Sequence, residues 1–288
     1  MAAVVAGVSY AVLAATIGGG RGDTPFLAFG IILSVVICFW LDVVWGGWPF
    51  SLGRNTVVGG IGLIVAAYAL TGLLLRTFDF SVFAGQSFSA GMDPSGPLPA
   101  WDGLVGGVTC LATIFLFLHL ELWPLTRFPR VMRQPVLGLV WTVLVLGVGI
   151  GTYLLGTRVL GISPDTFMVT VPVPFMFGTV VVLTILKGSL TARLSGVPRG
   201  LASAGIAAVV GTALAQLFLL LQPALTPDVP APGGASGTLD VHLWLGSALL
   251  AVTFPVMAMY HDLFQLWPLA KVCDAVAASS RVEPVAVE

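Results

Sequence analysis

Leu118-His-Leu-Glu-Leu-Trp-Pro-Leu-Thr-Arg-Phe-Pro-Arg-Val-Met-Arg-Gln-Pro-Val-Leu-Gly138 is the stretch that decides how the chain is read. A long apolar segment closes on His119, Glu121 and the pair Trp123-Pro124. Arg127, Arg130 and Arg133 follow, and Gln134-Pro135 opens the next apolar segment. Each residue type has a depth preference in a bilayer. Tryptophan settles at the headgroups and arginine beyond them on the cytoplasmic side. Proline ends a helix because it has no N–H to donate and clashes with the preceding turn. The stretch reads as a tight junction between two membrane-spanning helices.

Composition points the same way. Of 288 residues, 57% are hydrophobic and only 9% charged, against about a quarter charged in soluble domains. That excludes a water-soluble globular enzyme, and a net charge of -1 offers nucleic acid no basic face. The apolar runs are continuous rather than alternating, which favours helices over a membrane barrel. The expected fold is therefore all-α, a polytopic helical membrane bundle. Cys38, Cys110 and Cys273 stand singly, so no disulfide framework or CxxC site is expected.

Crossing a hydrocarbon core takes about 20 apolar residues. Eight helices are predicted near 2–18, 25–45, 56–75, 103–122, 136–156, 168–187, 200–221 and 241–263. They form a single transmembrane domain over 1–273, followed by a short cytoplasmic tail at 274–288. The start, Met-Ala-Ala-Val-Val, lacks the basic region of a cleaved leader, so 2–18 is read as a retained helix. Loops after the even-numbered helices hold Arg54, Arg127, Arg130, Arg133, Lys187, Arg193 and Arg199, and the tail adds Lys271 and Arg281. The opposite loops hold only Arg21, Arg76 and Arg158. Positive residues stay inside, which puts both termini in the cytoplasm of a multi-pass plasma- or inner-membrane protein.

The junction recurs. Asp42-Val-Val-Trp-Gly-Gly-Trp48-Pro49 precedes Arg54-Asn55, and His261-Asp262-Leu-Phe-Gln-Leu-Trp267-Pro268 closes the last predicted helix. A reduced version, Lys187-Gly-Ser-Leu with Val197-Pro198-Arg199-Gly200, follows the sixth. The expectation is four tandem helix-pair repeats in one orientation, an arrangement that places equivalent residues at one depth around a bundle.

No catalytic motif is present: no G-x-S-x-G, H-E-x-x-H or P-loop, and three histidines are too few for a metal-binding histidine box. An enzyme acting alone is not expected. What remains is a set of polar residues at the cytoplasmic helix ends. Glu121, His261 and Asp262 are the candidates for a solute or proton site, with Pro255 expected to kink the last helix just before the His–Asp pair. His119, His261 and Asp42 are the candidate metal ligands, and two histidines from different helices could instead hold a haem. His119 and Glu121 differ by about 200° around a helix, so one straight helix cannot aim both at one ion. Ser34, Tyr68, Thr113, Thr152, Thr184, Gln216 and Ser247 are the mid-membrane groups that could line a path. The segment Glu121-Leu-Trp123-Pro124 resembles a short part of the small subunits of copper membrane monooxygenases. The histidine-rich metal motifs of those complexes have no matching positions here, so no ligand is carried over.

Three functions fit these features. The favoured one is a transporter or channel-like carrier of a small solute or ion. The alternatives are a membrane subunit of a metal- or haem-dependent redox complex, and a scaffold or assembly factor. The expected partners are the lipid bilayer and further membrane subunits or a second copy of the chain, with no nucleic acid.

Overall fold

A computed structural model of the chain describes residues 25–53, 56–80, 96–183, 191, 194–225, 244–246 and 249. The predicted first helix falls outside these residues. So do most of the predicted last helix and all of Pro255, His261, Asp262 and Trp267-Pro268. The chain divides into two compact units, residues 1–111 with 130–153 and residues 112–129 with 154–288.

In the first unit, α1 (Pro25–Phe39) runs on through a π-helical turn, Trp40–Val44. α2 (Thr56–Leu75) is followed by two short parallel strands, β1 (Phe78–Asp79) and β2 (Leu98–Pro99), with Phe78 opposite Leu98. α3 (Ala100–His119) leads from this unit into the second, and α4 (Val136–Leu154) returns to the first before another π turn, Leu155–Val159. Small residues set the spacing. A Cβ on Gly149 of α4 would stand 2.9 Å from the Cys110 Cα of α3, and one on Gly107 would stand 3.2 Å from Leu33 of α1. Backbones can approach this closely only where side chains are missing. At one end of the unit Phe29 meets Phe80 and Trp101 edge-on, with ring centroids 5.4 and 5.3 Å away.

The second unit holds α5 (Pro164–Thr170), α6 (Pro172–Val181) and α7 (Gly196–Leu225). α6 and α7 are packed through glycine on both sides. A Cβ on Gly178 would run into the Ala207 carbonyl oxygen, and one on Gly211 into that of Pro174. The buried face of α7 carries Gly200, Ser203, Ala204, Ala207, Gly211 and Ala215. That is the i, i+3, i+4 spacing of one helical stripe.

Several boundaries differ from those expected, each for a local reason. The segment predicted at 168–187 begins earlier, at Pro164, and breaks at Val171. Pro172 has no N–H to carry the first helix onward, so it opens a second helix. The segment predicted at 103–122 spans 100–119, and the one at 200–221 extends to 196–225. Among the described residues, five helical stretches are long and apolar enough to cross a membrane: Thr56–Leu75, Ala100–His119, Val136–Val159, Pro164–Val181 (α5 and α6 taken together) and Gly196–Leu225. Ile32–Val44 is a shorter apolar helix. Val57, Val58, Ile61 and Val65 of α2 and Val143 of α4 stand exposed. In water such faces would drive aggregation, and they are compatible with a protein solvated by lipid.

The two Trp–Pro junctions among the described residues follow one backbone path. Gly46 and Gly47 (φ 57° and 69°) precede Trp48-Pro49, and Glu121 and Leu122 (φ 52° and 61°) precede Trp123-Pro124. Both Trp–Pro peptide bonds are cis, as is Gln134–Pro135. A 3₁₀ turn follows each pair at once, Phe50–Leu52 and Leu125–Arg127. The hydrogen bonds correspond: Trp48 N–H donates to Trp45 O and Trp123 N–H to Leu120 O, each at 3.0 Å, while Ser51 donates to Gly47 O and Thr126 to Leu122 O at 2.9 and 3.3 Å. A left-handed pair is what turns the chain back before proline, and in the first unit glycine supplies it without steric cost.

Candidate functional site

Among the described residues of the second unit, His119, the last residue of α3, is a buried polar side chain, only 5% exposed. Its placement follows from three helices. α3 stays helical up to this residue because the left-handed Glu121–Leu122 pair turns the chain immediately afterwards. α7 crosses the end of α3 at Gly200, where a Cβ would stand 2.6 Å from the His119 carbonyl oxygen. Ser203 lies three residues along α7 on the same face, and its Oγ comes 2.8 Å from His119 Nδ1. α6 is held to the same helix by the Gly178–Ala207 contact, and its next residue, Thr179, places Oγ1 3.0 Å from His119 Nε2. The Phe175 ring stands 6.0 Å from the imidazole. Ser203 and Thr179 are themselves buried.

Both ring nitrogens are thus engaged, each by a hydroxyl from a different helix. Hydroxyls can donate or accept, so the cluster is satisfied by either imidazole tautomer once the two O–H groups rotate to suit. A proton taken up at one nitrogen and released at the other would only reverse the sense of these bonds. A metal or haem iron would have to displace Ser203 or Thr179 to reach His119. Among the described residues no group of three His, Cys, Asp or Glu side chains could hold a metal ion.

Comparison of the chain with protein-family models, with curated proteins and with solved structures finds no match. The site therefore stands on its own geometry.

The other residues singled out from the sequence fall elsewhere. Glu121 does not join His119. It faces outward, with its side chain 73% exposed, and pairs loosely with Arg199 at 3.9 Å. The helix has ended before it, so the expected angular offset takes the form of a turn. Asp42 is exposed in the first unit, on the π turn. His261, Asp262 and Pro255 lie outside the described residues. Of the suggested path-lining groups, Ser34 and Thr113 are buried while Thr152 and Gln216 are exposed. Thr71 and Thr109 turn back to the carbonyls of Ala67 and Val105 on their own helices, at 2.8 and 2.7 Å, as hydroxyls in apolar helices commonly do.

Ser203 and Thr179 carry no motif in the sequence. Ser203 sits in Ala202-Ser-Ala204 and Thr179 in Gly178-Thr-Val180, stretches of small residues that look like packing alone. One local signal existed: each lies beside or one turn from a glycine on a buried helix face, where a neighbouring helix must come close.

Proposed function

We propose that the chain is a multi-pass integral membrane carrier of a small ion, and that His119, Ser203 and Thr179 form its proton-handling site. The observation that carries this reading is the engagement of both His119 nitrogens by hydroxyls from α7 and α6 within an apolar surround. Histidine is the side chain whose charge changes between about pH 5 and 8. Polar groups within membrane spans are costly and tend to be kept where they serve a pathway. A hydroxyl–imidazole–hydroxyl chain can pass a proton between two helices, because each of its groups both donates and accepts.

The wider architecture belongs to the same proposal. Eight spans in one domain over 1–273, both termini in the cytoplasm and tandem helix pairs are supported by the asymmetry of arginine and lysine in the loops and by the matching backbone of the two Trp–Pro junctions. On this reading His119 lies near the cytoplasmic end of α3, one short turn from the arginine-bearing loop.

The test is proton flux. The purified protein is placed in liposomes with a pH-reporting dye inside, and a potassium diffusion potential is imposed with valinomycin. The carrier reading expects dye acidification above that of empty liposomes, reduced at least tenfold by His119→Leu and less by Ser203→Ala or Thr179→Val. Flux equal to that of empty liposomes would overturn proton handling. Lost stability of His119→Leu without any wild-type flux would make the cluster a structural clamp.

A further inference from the structure

The loop between α3 and α4 carries a second kind of chemistry. Its residues Thr126-Arg127-Phe128-Pro129-Arg130 are all exposed, as is Arg133. Three guanidinium groups therefore fall within seven residues, with the exposed Phe128 between the first two. Glu121 is the only carboxylate anywhere in 103–164, and it faces Arg199. The positive charge of the loop is left without a compensating acid of its own.

Each part of the loop is fastened within its own unit. At its start, the 3₁₀ turn Leu125–Arg127 buries Leu125, and the Arg127 guanidinium lies 5.7 Å over the Trp123 ring. At its end, Gln134 Nε2 donates to the Val44 carbonyl at 3.0 Å, while its Oε1 accepts from the Gly138 N–H at 3.0 Å. The second bond caps the first turn of α4, which otherwise leaves its N–H groups unpaired. Arg127 is thus anchored within the second unit, and Arg133 stands beside the anchored Gln134 of the first, along one short connection between two helices of membrane-crossing length.

We infer that this loop binds anionic phospholipid headgroups, with Arg127, Arg130 and Arg133 on the phosphates and Phe128 inserted beneath them. The inference rests on the membrane-spanning reading, because spanning helices on either side are what hold the loop at headgroup depth. Charge complementarity selects an anionic lipid over a zwitterionic one, and guanidinium groups match phosphate oxygens in paired hydrogen bonds. An aromatic side chain among basic residues adds the apolar contact that a soluble anion would not use. Arginines near a membrane surface contribute about 1 kcal/mol each toward anionic lipid.

The experiment is electron spin resonance of full-length protein in phosphatidylcholine bilayers containing a trace of spin-labelled phosphatidylglycerol or spin-labelled phosphatidylcholine. Wild type is expected to restrict phosphatidylglycerol at least about fivefold more strongly than phosphatidylcholine, the factor that ~1 kcal/mol represents. The triple variant R127Q/R130Q/R133Q should bring that ratio to one while restricting phosphatidylcholine as before, which shows it folded. Arg76→Gln, an exposed arginine after α2, should leave the ratio unchanged, and Phe128→Ser should lower it.

No preference in wild type, or a preference retained by the triple variant, overturns the inference. So does a preference abolished by inorganic phosphate but not by chloride at equal ionic strength, since the occupant would then be a soluble anion. Absence of any restricted phosphatidylcholine would instead overturn the membrane-spanning reading on which the inference stands.

Discussion

Gly200 presses α7 against the end of α3 so closely that a Cβ there would stand 2.6 Å from the His119 carbonyl oxygen. That contact sets the reach of Ser203 to the imidazole, because residues three apart on a helix share a face. Gly200→Ala must push the helices apart, and a cost of about 1–3 kcal/mol is expected for an overpacked contact. Gly205 lies on the same helix with nothing within 4 Å of its would-be Cβ. Gly205→Ala should be neutral or stabilise by up to about 1 kcal/mol through helix propensity. Reversible unfolding in mixed micelles measures both, and equal effects at the two positions would refute the close crossing.

The His119–Ser203 bond should appear as an energetic coupling. Ser203→Ala leaves a buried ring nitrogen unpaired, and His119→Leu leaves two hydroxyls unpaired. Each is expected to destabilise by about 1–3 kcal/mol. The double variant should cost less than the sum of the two, by about 0.5–3 kcal/mol. Strict additivity would show that the two side chains do not interact.

The α6–α7 crossing predicts a larger effect. Gly178→Ala and Gly211→Ala each place a methyl where the facing helix has a backbone carbonyl, of Ala207 and Pro174 respectively. A flexible side chain could yield, whereas a packed backbone cannot move without separating the helices. Each substitution is expected to lower the yield of monodisperse protein on size exclusion, and also the melting temperature of whatever folds.

The left-handed pair before each Trp–Pro predicts effects of opposite sign in the two units. Gly47→Ala should cost about 1–2 kcal/mol, the penalty of a side chain in that backbone region, since its would-be Cβ meets only ordinary contacts at 3.6 and 3.7 Å. Glu121→Gly should stabilise by about 1 kcal/mol by removing the same penalty. It also removes the 3.9 Å pair with Arg199, a surface ion pair worth less than about 1 kcal/mol. Arg199→Gln, measured beside it, separates the two contributions. If Glu121→Gly proves more destabilising than Arg199→Gln, the strain argument at Glu121 is wrong.

The chain itself determined the helical class and most of the helix positions among the described residues, for a plain physical reason. Lipid offers no hydrogen bonds, so each run of about 20 apolar residues must satisfy its backbone internally. Thr56–Leu75 falls where hydropathy put it, and Val136 begins its helix as expected. Trp48-Pro49 and Trp123-Pro124 mark helix ends that the backbone confirms. Tertiary structure decided the partners. Glu121 turned outward because Glu121 and Leu122 are left-handed, which no helical wheel foretells. His119 met Ser203 and Thr179 because Gly200, Gly178 and Gly211 let three helices close together, bringing residues 84 and 60 positions away in sequence to hydrogen-bonding distance. Periodicity reports which face of a helix is buried; only the packing of one backbone on another decides which polar atoms meet there.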